Sequence, residues 1–195
     1  MGEASSSPQN DTRSEGGGQP GGVMPAGEGW AAMRHYSGVM FHLVLLRPQI
    51  PPNTGNAIRL CANTGCTLHL VHPLGFSLQS PQVRRAGLDY HELARVHEHA
   101  DFAACWRWLD ARGAGHRYAV ETGGARRYDE VRFQPGDVMV FGAEGPGLAT
   151  TELARFAPED ILALPMLPGN RSVNLSNTVA IVAYEAWRQQ GFRSP

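Results

Sequence analysis

The sequence predicts an α/β fold with a mostly parallel sheet, and three observations lead to this fold class. Segments with strand character alternate with segments of helical periodicity along the chain. The run FHLVLL, residues 41–46, is continuously apolar, which is typical of a strand buried on both faces. Residues that start or stop helices stand at the boundaries between these segments. Such alternation brings parallel strands into one sheet with helices packed on its faces.

The elements up to residue 99 begin with that strand. After a proline-rich turn, PQIPPN, the segment NTGNAIRLCANTG has Gly65 at the position of a C-terminal cap and apolar residues at helical spacing, namely Ile58, Cys61 and Ala62. TLHLV, residues 67–71, is the next strand. Ser80 and Pro81 fit the cap and first turn of a further helix. LARVHEH follows as a weak strand.

The remaining elements continue the alternation. Asp101 is the expected N-terminal cap of a helix in DFAACWRWLDARG, whose apolar face comprises Phe102, Cys105, Trp106 and Leu109. HRYAVET and DVMVFGA are strand-like, and Thr150 is the expected cap of a short helix in TTELARF. DILALPM is the last strand. The last helix runs from Leu175 to Gln190, with Gly191 as its stop.

The N-terminal residues 1–39 differ from the rest. The first 30 residues are rich in Gly and Pro and contain no Leu, Ile or Phe. They cannot bury enough apolar area to offset their ordering entropy, so we expect a disordered extension over 1–39 and a domain over 40–195. A misassigned start codon, with Met40 as the natural first residue, explains the same segment. No secretory signal is evident, and no apolar run approaches the roughly 20 residues of a membrane span.

Charge and cysteine content leave the partner class open. The net charge is −1, and residues 1–39 carry four acidic and two basic side chains, so residues 40–195 carry about +1. This value neither demands nor excludes nucleic acid. All 17 basic residues are Arg, which favours bidentate phosphate contacts, although a GC-rich genome explains the bias equally well. The three cysteines show no CxxC spacing, which indicates reduced thiols in the cytosol.

Three unusual loops follow predicted strands, and parallel sheets bind ligands beyond the carboxyl ends of their strands. The loops are PQIPPNTGN, GAEGPG and LPGNRSVNLSN. GAEGPG has the glycine order of the dinucleotide-binding fingerprint reversed, and its Glu144 would repel a pyrophosphate. A tight turn explains the glycines but not Glu144, so a nicotinamide oxidoreductase is the least favoured alternative. The third loop has more polar residues than a helix cap requires.

The histidines near residue 95 raise the question of a metal site. The pattern H-E-x-x-H fails because Arg95 stands where its second His is required. His97 and His99 alternate on the weak strand, so they share one face. A solvated sheet edge is the favoured interpretation, and we expect no metal.

The motifs together resemble one enzyme family. NTGNAIRLCANTG, FGAEGPGL and LPMLPGNRSVNLSNTVAIVAYEAWRQ resemble the three motifs of the SPOUT methyltransferases, and more narrowly those of the TrmL/YibK type, the tRNA wobble-nucleotide 2′-O-methyltransferases. RRAGLDYHE, residues 84–92, resembles the same type, and the similarity covers essentially Met40 to Phe192. The resemblance implies an α/β-knot fold with a C-terminal deep trefoil knot. It also implies a homodimer with each site built across the interface, S-adenosylmethionine as methyl donor without a metal, and the anticodon loop of tRNA as substrate.

The resemblance also implies roles for individual residues. Those expected to bind the methyl donor are Val120, Gly142, Leu164 and Ser172. Those expected to handle the substrate are Asn53, Arg59, Glu144, Ser172, Asn174 and Tyr184. Our candidates for contacts to tRNA phosphates are Arg84, Arg85, Arg126 and Arg127.

The chemistry of the residues refines these roles. Leu164, Met166 and Leu167 are suited to pack on an adenine. Arg59 matches the arginine that is proposed as general base in ribose-methylating relatives. An arginine stays charged in proteins, so we expect Arg59 to anchor a phosphate, while the hydroxyl loses its proton late, or to Glu144 or water. A ribose methyltransferase of another RNA and a knotted RNA-binding protein without activity remain alternatives.

Overall fold

A computed structural model of the chain describes residues 1–2, 38–78 and 95–193. Several sequence predictions lie outside these ranges. They are most of the expected disordered segment 1–39, the helix starting at Ser80 and Pro81, the segment RRAGLDYHE and the candidate phosphate contacts Arg84 and Arg85.

The described residues form a parallel sheet of seven strands. In chain order they are β1 (His42–Leu46), β2 (Thr67–Val71), β3 (Val96–His99), β4 (Arg117–Val120), β5 (Arg126–Arg127), β6 (Val138–Phe141) and β7 (Ile161–Ala163). Their order across the sheet is β3-β2-β1-β6-β4-β7-β5, and all paired neighbours run parallel. The predicted fold class is therefore confirmed. β5 was not predicted, because two arginines carry no strand signal of their own.

Within residues 38–78 and 95–193, four α-helices connect and cover these strands. They are α1 (Pro51–Thr64), α2 (Phe102–Asp110), α3 (Thr150–Leu153) and α4 (Leu175–Gln189), with short 3₁₀ turns at Tyr128–Glu130 and Pro158–Asp160. The caps of two helices follow the prediction. Gly65 is left-handed with φ 75°, and its N–H donates to the Cys61 carbonyl after α1. Asp101 accepts the Ala104 N–H at 2.7 Å before α2.

Two helix starts differ from the prediction. Pro51 and Pro52 belong to the first turn of α1, so PQIPPN is only partly a turn. Proline is tolerated there because the first-turn N–H groups have no intrahelical partner. Thr150 is the first residue inside α3 and Ala149 is its cap. The Glu152 carboxylate accepts the Ala149 N–H at 2.8 Å, so a glutamate of the first turn, and not Thr150, bonds to the cap residue.

The sheet separates two apolar layers, because alternate residues of a strand face opposite sides. Leu43 and Leu45 of β1 belong to the layer that contains α1 and α4. Val44 and Leu46 belong to the layer that contains α2. The helices α1 and α4 therefore pack on the same face of the sheet. The loops that precede them follow the parallel strands β1 and β7, so both loops leave the sheet at its carboxyl edge. The expected trefoil knot stays a prediction.

The expectation of a solvated histidine edge was wrong for His99. β3 is an edge strand and His97 and His99 share a face, as predicted. However, the His99 side chain is only 6 % exposed. Trp108 of α2 covers this face, with ring centroids 4.6 Å from His97 and 6.0 Å from His99. The sequence pattern did not reveal this cover, because it depends on where α2 packs. In the described part of the chain, no helix combines the length and apolar character that crossing a membrane requires.

Candidate functional site

The three unusual loops converge on one pocket of about 240 Å³. It lies at the carboxyl ends of β1, β6, β4 and β7, which are adjacent in the sheet. The loop after β1 contributes Ile50 and Asn53, and the loop after β6 contributes residues 142–145 and 147. The segment before α4 contributes residues 172–174, and the first turn of α4 contributes Leu175 and Thr178. The location agrees with the prediction from parallel-sheet geometry.

Glu144 connects the loop after β6 to the start of α1. Its carboxylate accepts the Gln49 N–H at 2.7 Å, the Ile50 N–H at 3.3 Å and the side-chain amide of Asn53 at 2.8 Å. All three bonds have an ionised acceptor, which makes them stronger than bonds between neutral groups. This position explains the glutamate that a simple glycine turn does not require. In this position, both carboxylate oxygens of Glu144 accept hydrogen bonds from other groups of the same chain.

A chain of amides continues from Glu144 to the start of α4. Asn53 Oδ1 accepts an N–H from Asn174 Nδ2 at 3.0 Å. Asn174 Oδ1 in turn accepts the Ser176 N–H at 2.9 Å and the Ser176 hydroxyl at 2.8 Å, so Asn174 is the N-terminal cap of α4. The direction of every bond in the chain is fixed, because a carboxylate stands at one end and a helix N–H at the other. The network therefore sets the relative positions of all three loops.

Glu121, at the end of β4, holds the other side of the loop after β6. One oxygen accepts the Leu148 N–H at 2.9 Å, and the other accepts the Thr122 N–H at 3.0 Å. Gly147 passes so close that a Cβ there would lie 2.4 Å from the Glu121 carboxylate. Gly142 is equally restricted, since its Cβ would lie 2.0 Å from the Gly147 carbonyl carbon. Both positions require glycine for space, and Gly147 also for its φ of +69°.

An ion pair anchors the beginning of the first loop. Arg47, which directly follows β1, forms a bidentate pair with Glu152 of α3. The hydrogen bonds to Arg47 hold the pKa of the Glu152 carboxyl below its usual range. The pair is partly buried, so it fixes the backbone from which Gln49 and Ile50 reach Glu144.

The structure brings most of the predicted site residues together in this pocket. Those that line it are Asn53, Val120, Gly142, Glu144, Leu164, Ser172 and Asn174. Arg59 and Tyr184 do not: Arg59 is an exposed residue of α1, and Tyr184 is 46 % exposed on α4. Met166 lines the pocket as expected, whereas Leu167 is 77 % exposed and does not.

Arg126 and Arg127 lie on β5 at the far edge of the sheet. Arg126 donates to the Glu130 carbonyl at 2.6 Å. Arg127 pairs with Asp129, at 3.0 Å from Nε to Oδ1. Both guanidinium groups thus have acceptors within the chain, and a phosphate contact would have to compete with them.

Sequence reasoning missed several pocket residues, chiefly Glu121, Thr122, Gly147 and Thr178. Glu121 and Thr122 directly follow the strand residue Val120, so their place at a carboxyl strand end was a usable signal. No sequence signal identifies Thr178, which is inside α4 and reaches the pocket only because of where the helix begins.

The lining suits a ligand with an apolar part and several hydrogen-bonding groups. Val120, Phe141, Leu164 and Met166 supply apolar surface, and Ser172 and Asn174 supply neutral polar groups. The two carboxylates, Glu121 and Glu144, make the pocket unsuited to a phosphate and compatible with a cationic ligand. These residues fit S-adenosylmethionine, which combines an adenine, a ribose and a positively charged sulfonium.

Comparisons with known proteins agree with this interpretation. A family model described as the SpoU rRNA Methylase family matches residues 40–184. A tRNA (cytidine(34)-2′-O)-methyltransferase of Burkholderia pseudomallei (strain 1106a) is 56 % identical over 153 residues, covering 78 % of this chain and 97 % of the relative.

Two solved structures are also similar. One, described as "Structural insights into the 2-OH methylation of C/U34 on tRNA", has a TM-score of 0.72 and 45 % identity, covering 79 % of this chain and 98 % of that one. An AdoMet-bound rRNA methyltransferase of Sinorhizobium meliloti has a TM-score of 0.67 and 25 % identity, covering 80 % of this chain and 58 % of that one. The chain belongs to the SpoU rRNA methylase family.

Proposed function

We propose that this chain is a tRNA 2′-O-methyltransferase, which transfers a methyl group from S-adenosylmethionine to the ribose 2′-OH of the wobble nucleotide, cytidine or uridine 34. The observation that carries the proposal is the pocket that three separate motifs build together at the carboxyl edge of the sheet. The names of its relatives supply the substrate. As a tRNA-modifying enzyme, it would act in the cytoplasm.

S-adenosylmethionine supplies an electrophilic methyl group on its sulfonium when it is bound. The chain's own residues have to bind the methyl donor, orient the ribose 2′-OH towards it and shield both from water. Val120, Leu164 and the glycine at 142 form the wall on which the adenosine would lie. Ser172 and Asn174 at the mouth of α4 offer hydrogen bonds to a ribose, which would place the 2′-OH in line with the methyl group. Glu144 holds Asn53 and, through it, Asn174 in position.

The proton of the ribose 2′-OH has no obvious acceptor among these residues. Both oxygens of Glu144 already accept hydrogen bonds from the protein, which makes it a positioning residue rather than a base. Arg59 stays charged and is proposed to bind the adjacent phosphate. The proton would then pass to water as the new O–C bond forms.

We further propose that the enzyme is a homodimer whose sites are shared between subunits. Arg59 and Tyr184 do not line the pocket of their own chain, although both match positions with roles in substrate handling. Both are exposed, on α1 and α4, together with the apolar residue Ile181. A second copy placed on this helix face would bring its own Arg59 and Tyr184 towards the pocket. The predicted trefoil knot, which would fold the pocket loops tightly, belongs to the same proposal.

The test of the reaction is methyl transfer from labelled S-adenosylmethionine to tRNA from a strain that lacks wobble ribose methylation. The product is digested and its nucleosides are identified by mass spectrometry. We expect a 2′-O-methylated pyrimidine at position 34. Ser172→Ala should lose turnover while tRNA binding persists. A parent protein that binds tRNA and S-adenosylmethionine but methylates no tRNA would support methylation of another RNA instead, and one without S-adenosylmethionine binding would support a binding protein.

The shared site is tested by complementation. Arg59→Ala and Ser172→Ala proteins are each assayed alone and then after mixing under conditions that exchange subunits. If Arg59 acts on the partner's pocket, half of the sites in mixed dimers are intact, and mixing should restore about a quarter of the parent activity. If Arg59 acts within its own chain, mixing restores nothing. Arg107→Ala, an exposed helix arginine on the other face of the sheet, is the matched control and should keep full activity.

A further inference from the structure

A row of histidines crosses the sheet face that α2 covers. His42, His69 and His99 come from the neighbouring strands β1, β2 and β3. His42 Nδ1 lies 2.9 Å from His69 Nε2, and His69 Nδ1 lies 2.9 Å from His99 Nε2. These rings play no part in the pocket described above, whose lining residues come from other segments.

The row is buried. His69 is 0 % exposed, and the indole of Trp108 closes the face above it with a ring-centroid distance of 4.9 Å. Burial lowers the pKa of His69 to about 2 and that of His42 to about 4. In each 2.9 Å contact between rings one nitrogen donates its N–H and the other accepts it, so the row contains nitrogen lone pairs of the kind that bind metal ions.

A thiol from α2 completes a three-residue group. Cys105 is fully buried, and one donor atom each from His69, His99 and Cys105 lie within 4.8 Å of one another. Zinc binds at about 2.3 Å from sulfur and about 2.0 Å from an imidazole nitrogen. Two of these donors, His69 Nδ1 and His99 Nε2, already lie 2.9 Å apart, so an ion bound by all three would chiefly draw the Cys105 sulfur towards them.

We propose that His69, His99 and Cys105 form a binding site for a zinc-type divalent metal ion. Two imidazole nitrogens and one thiolate are a donor set that suits zinc and excludes the oxygen-seeking ions magnesium and calcium. The three residues come from β2, β3 and α2, so the ion fastens the edge strand β3 and helix α2 to the central sheet.

The surroundings provide the outer partner that metal-binding histidines require. A ligating histidine usually donates its other ring N–H to a neighbouring acceptor. His69 can do so through Nε2 to His42 Nδ1, across the 2.9 Å contact already present. His97 stacks on His69 with a ring-centroid distance of 5.5 Å and can supply a fourth ligand from the same face.

Binding of the ion is balanced by the loss of one proton. Without an ion, burial raises the pKa of the Cys105 thiol to about 12, so the sulfur is protonated at neutral pH. The metal–sulfur bond replaces the S–H bond, and the proton leaves to solvent. The contact between His69 and His99 is replaced by two metal–nitrogen bonds. The imidazoles change tautomer and stay neutral, so no further proton is released.

Cobalt(II) is the probe, because its bond to a thiolate produces a charge-transfer absorption band. The full chain is titrated under reducing, oxygen-free conditions. We expect a band that saturates at one equivalent per chain and disappears when zinc(II) is added in excess. A matched pair of variants assigns the band. Cys105→Ala should abolish it, whereas Cys66→Ala should leave it unchanged, since Cys66 is equally buried but lies in the layer on the other face of the sheet.

Thermal unfolding with zinc(II) gives a second measurement. Free zinc well above its Kd should raise the Tm of the parent by about 5 °C or more and leave that of Cys105→Ala unchanged. Circular dichroism establishes that the variant is folded. A parent without the charge-transfer band would overturn the proposal, as would a band that persists in Cys105→Ala. A rise in Tm that the variant shares would place the zinc elsewhere and overturn it equally.

Discussion

Replacing Glu144 by Gln tests whether this residue positions the pocket or accepts the substrate's proton. Glutamine has nearly the same shape, so it fits the same space and removes only the charge and one acceptor. In the structure, all three partners of the carboxylate donate hydrogen bonds. The amide has a single acceptor oxygen, so its NH₂ group must face one of these donors.

The orientation of the new amide follows from the network. Placing its NH₂ towards Asn53 would oppose the 2.8 Å contact and require Asn53 to turn over. Asn53 cannot turn without presenting its own NH₂ to that of Asn174, and Asn174 is fixed as the cap of α4. The NH₂ therefore faces the Gln49 N–H, which lies at the exposed side and can bond to water instead.

The variant loses the charge-assisted bond from the Gln49 N–H, and water partly replaces it. We expect this change to cost about 1–2 kcal/mol. If the whole of this energy is lost from the binding of S-adenosylmethionine, its Kd rises about 5–30-fold. Isothermal titration calorimetry measures it. The pH profile of kcat at saturating donor should keep its shape, because no proton acceptor has been removed. Glu159→Gln removes the same charge from an exposed residue that does not line the pocket, and should change neither quantity.

Two results would refute this reasoning. A Kd within twofold of the parent would mean that the hydrogen bonds to Glu144 contribute nothing to binding of S-adenosylmethionine. A normal Kd combined with loss of turnover, and with loss of the acidic limb of the pH profile, would identify Glu144 as the proton acceptor.

Three further predictions follow from other contacts. Gly142→Ala places a Cβ against the Gly147 backbone, so donor binding should fall below detection in calorimetry while Gly123→Ala, where the added atom meets nothing within 4 Å, binds normally. The Arg47–Glu152 pair contributes stability that is fully present above the ordinary glutamate pKa of about 4.3 and is lost as the pH falls through the lowered pKa of the folded state. The Tm difference between the parent and Glu152→Gln should therefore shrink when the pH falls below about 4.3. A Tm difference that stays constant from pH 7 to pH 3 would contradict this prediction. If Arg126 and Arg127 contact phosphates, replacing both by Ala should lower the slope of log K for tRNA against log salt by about 2, and an unchanged slope in filter binding would assign tRNA affinity to other residues.

Local chemistry made much of the fold predictable. The continuous apolar run FHLVLL gave β1 to within a residue, since a strand buried on both faces is mostly apolar. TLHLV also matched β2, although this strand includes the buried His69. Asp101 and Gly65 marked helix ends because capping involves only neighbouring backbone groups. The alternation of elements was sufficient to predict a parallel sheet. The pocket edge followed from it, because the carboxyl ends of parallel strands share one edge.

The sequence by itself therefore determined the fold class, the edge of the sheet where ligands bind and the three loops that form the pocket. Only the tertiary structure decided which side chains meet. Glu144 and Asn53, which form a hydrogen bond, are 91 positions apart in the sequence. Strand order equally determines which groups bond to Glu121 and how Trp108 covers the histidines. It also determines that Arg59 lies outside the pocket of its own chain. Periodicity and caps report interactions within a few residues. Contacts between distant segments are set by how the sheet and helices pack together, and no local pattern encodes that arrangement.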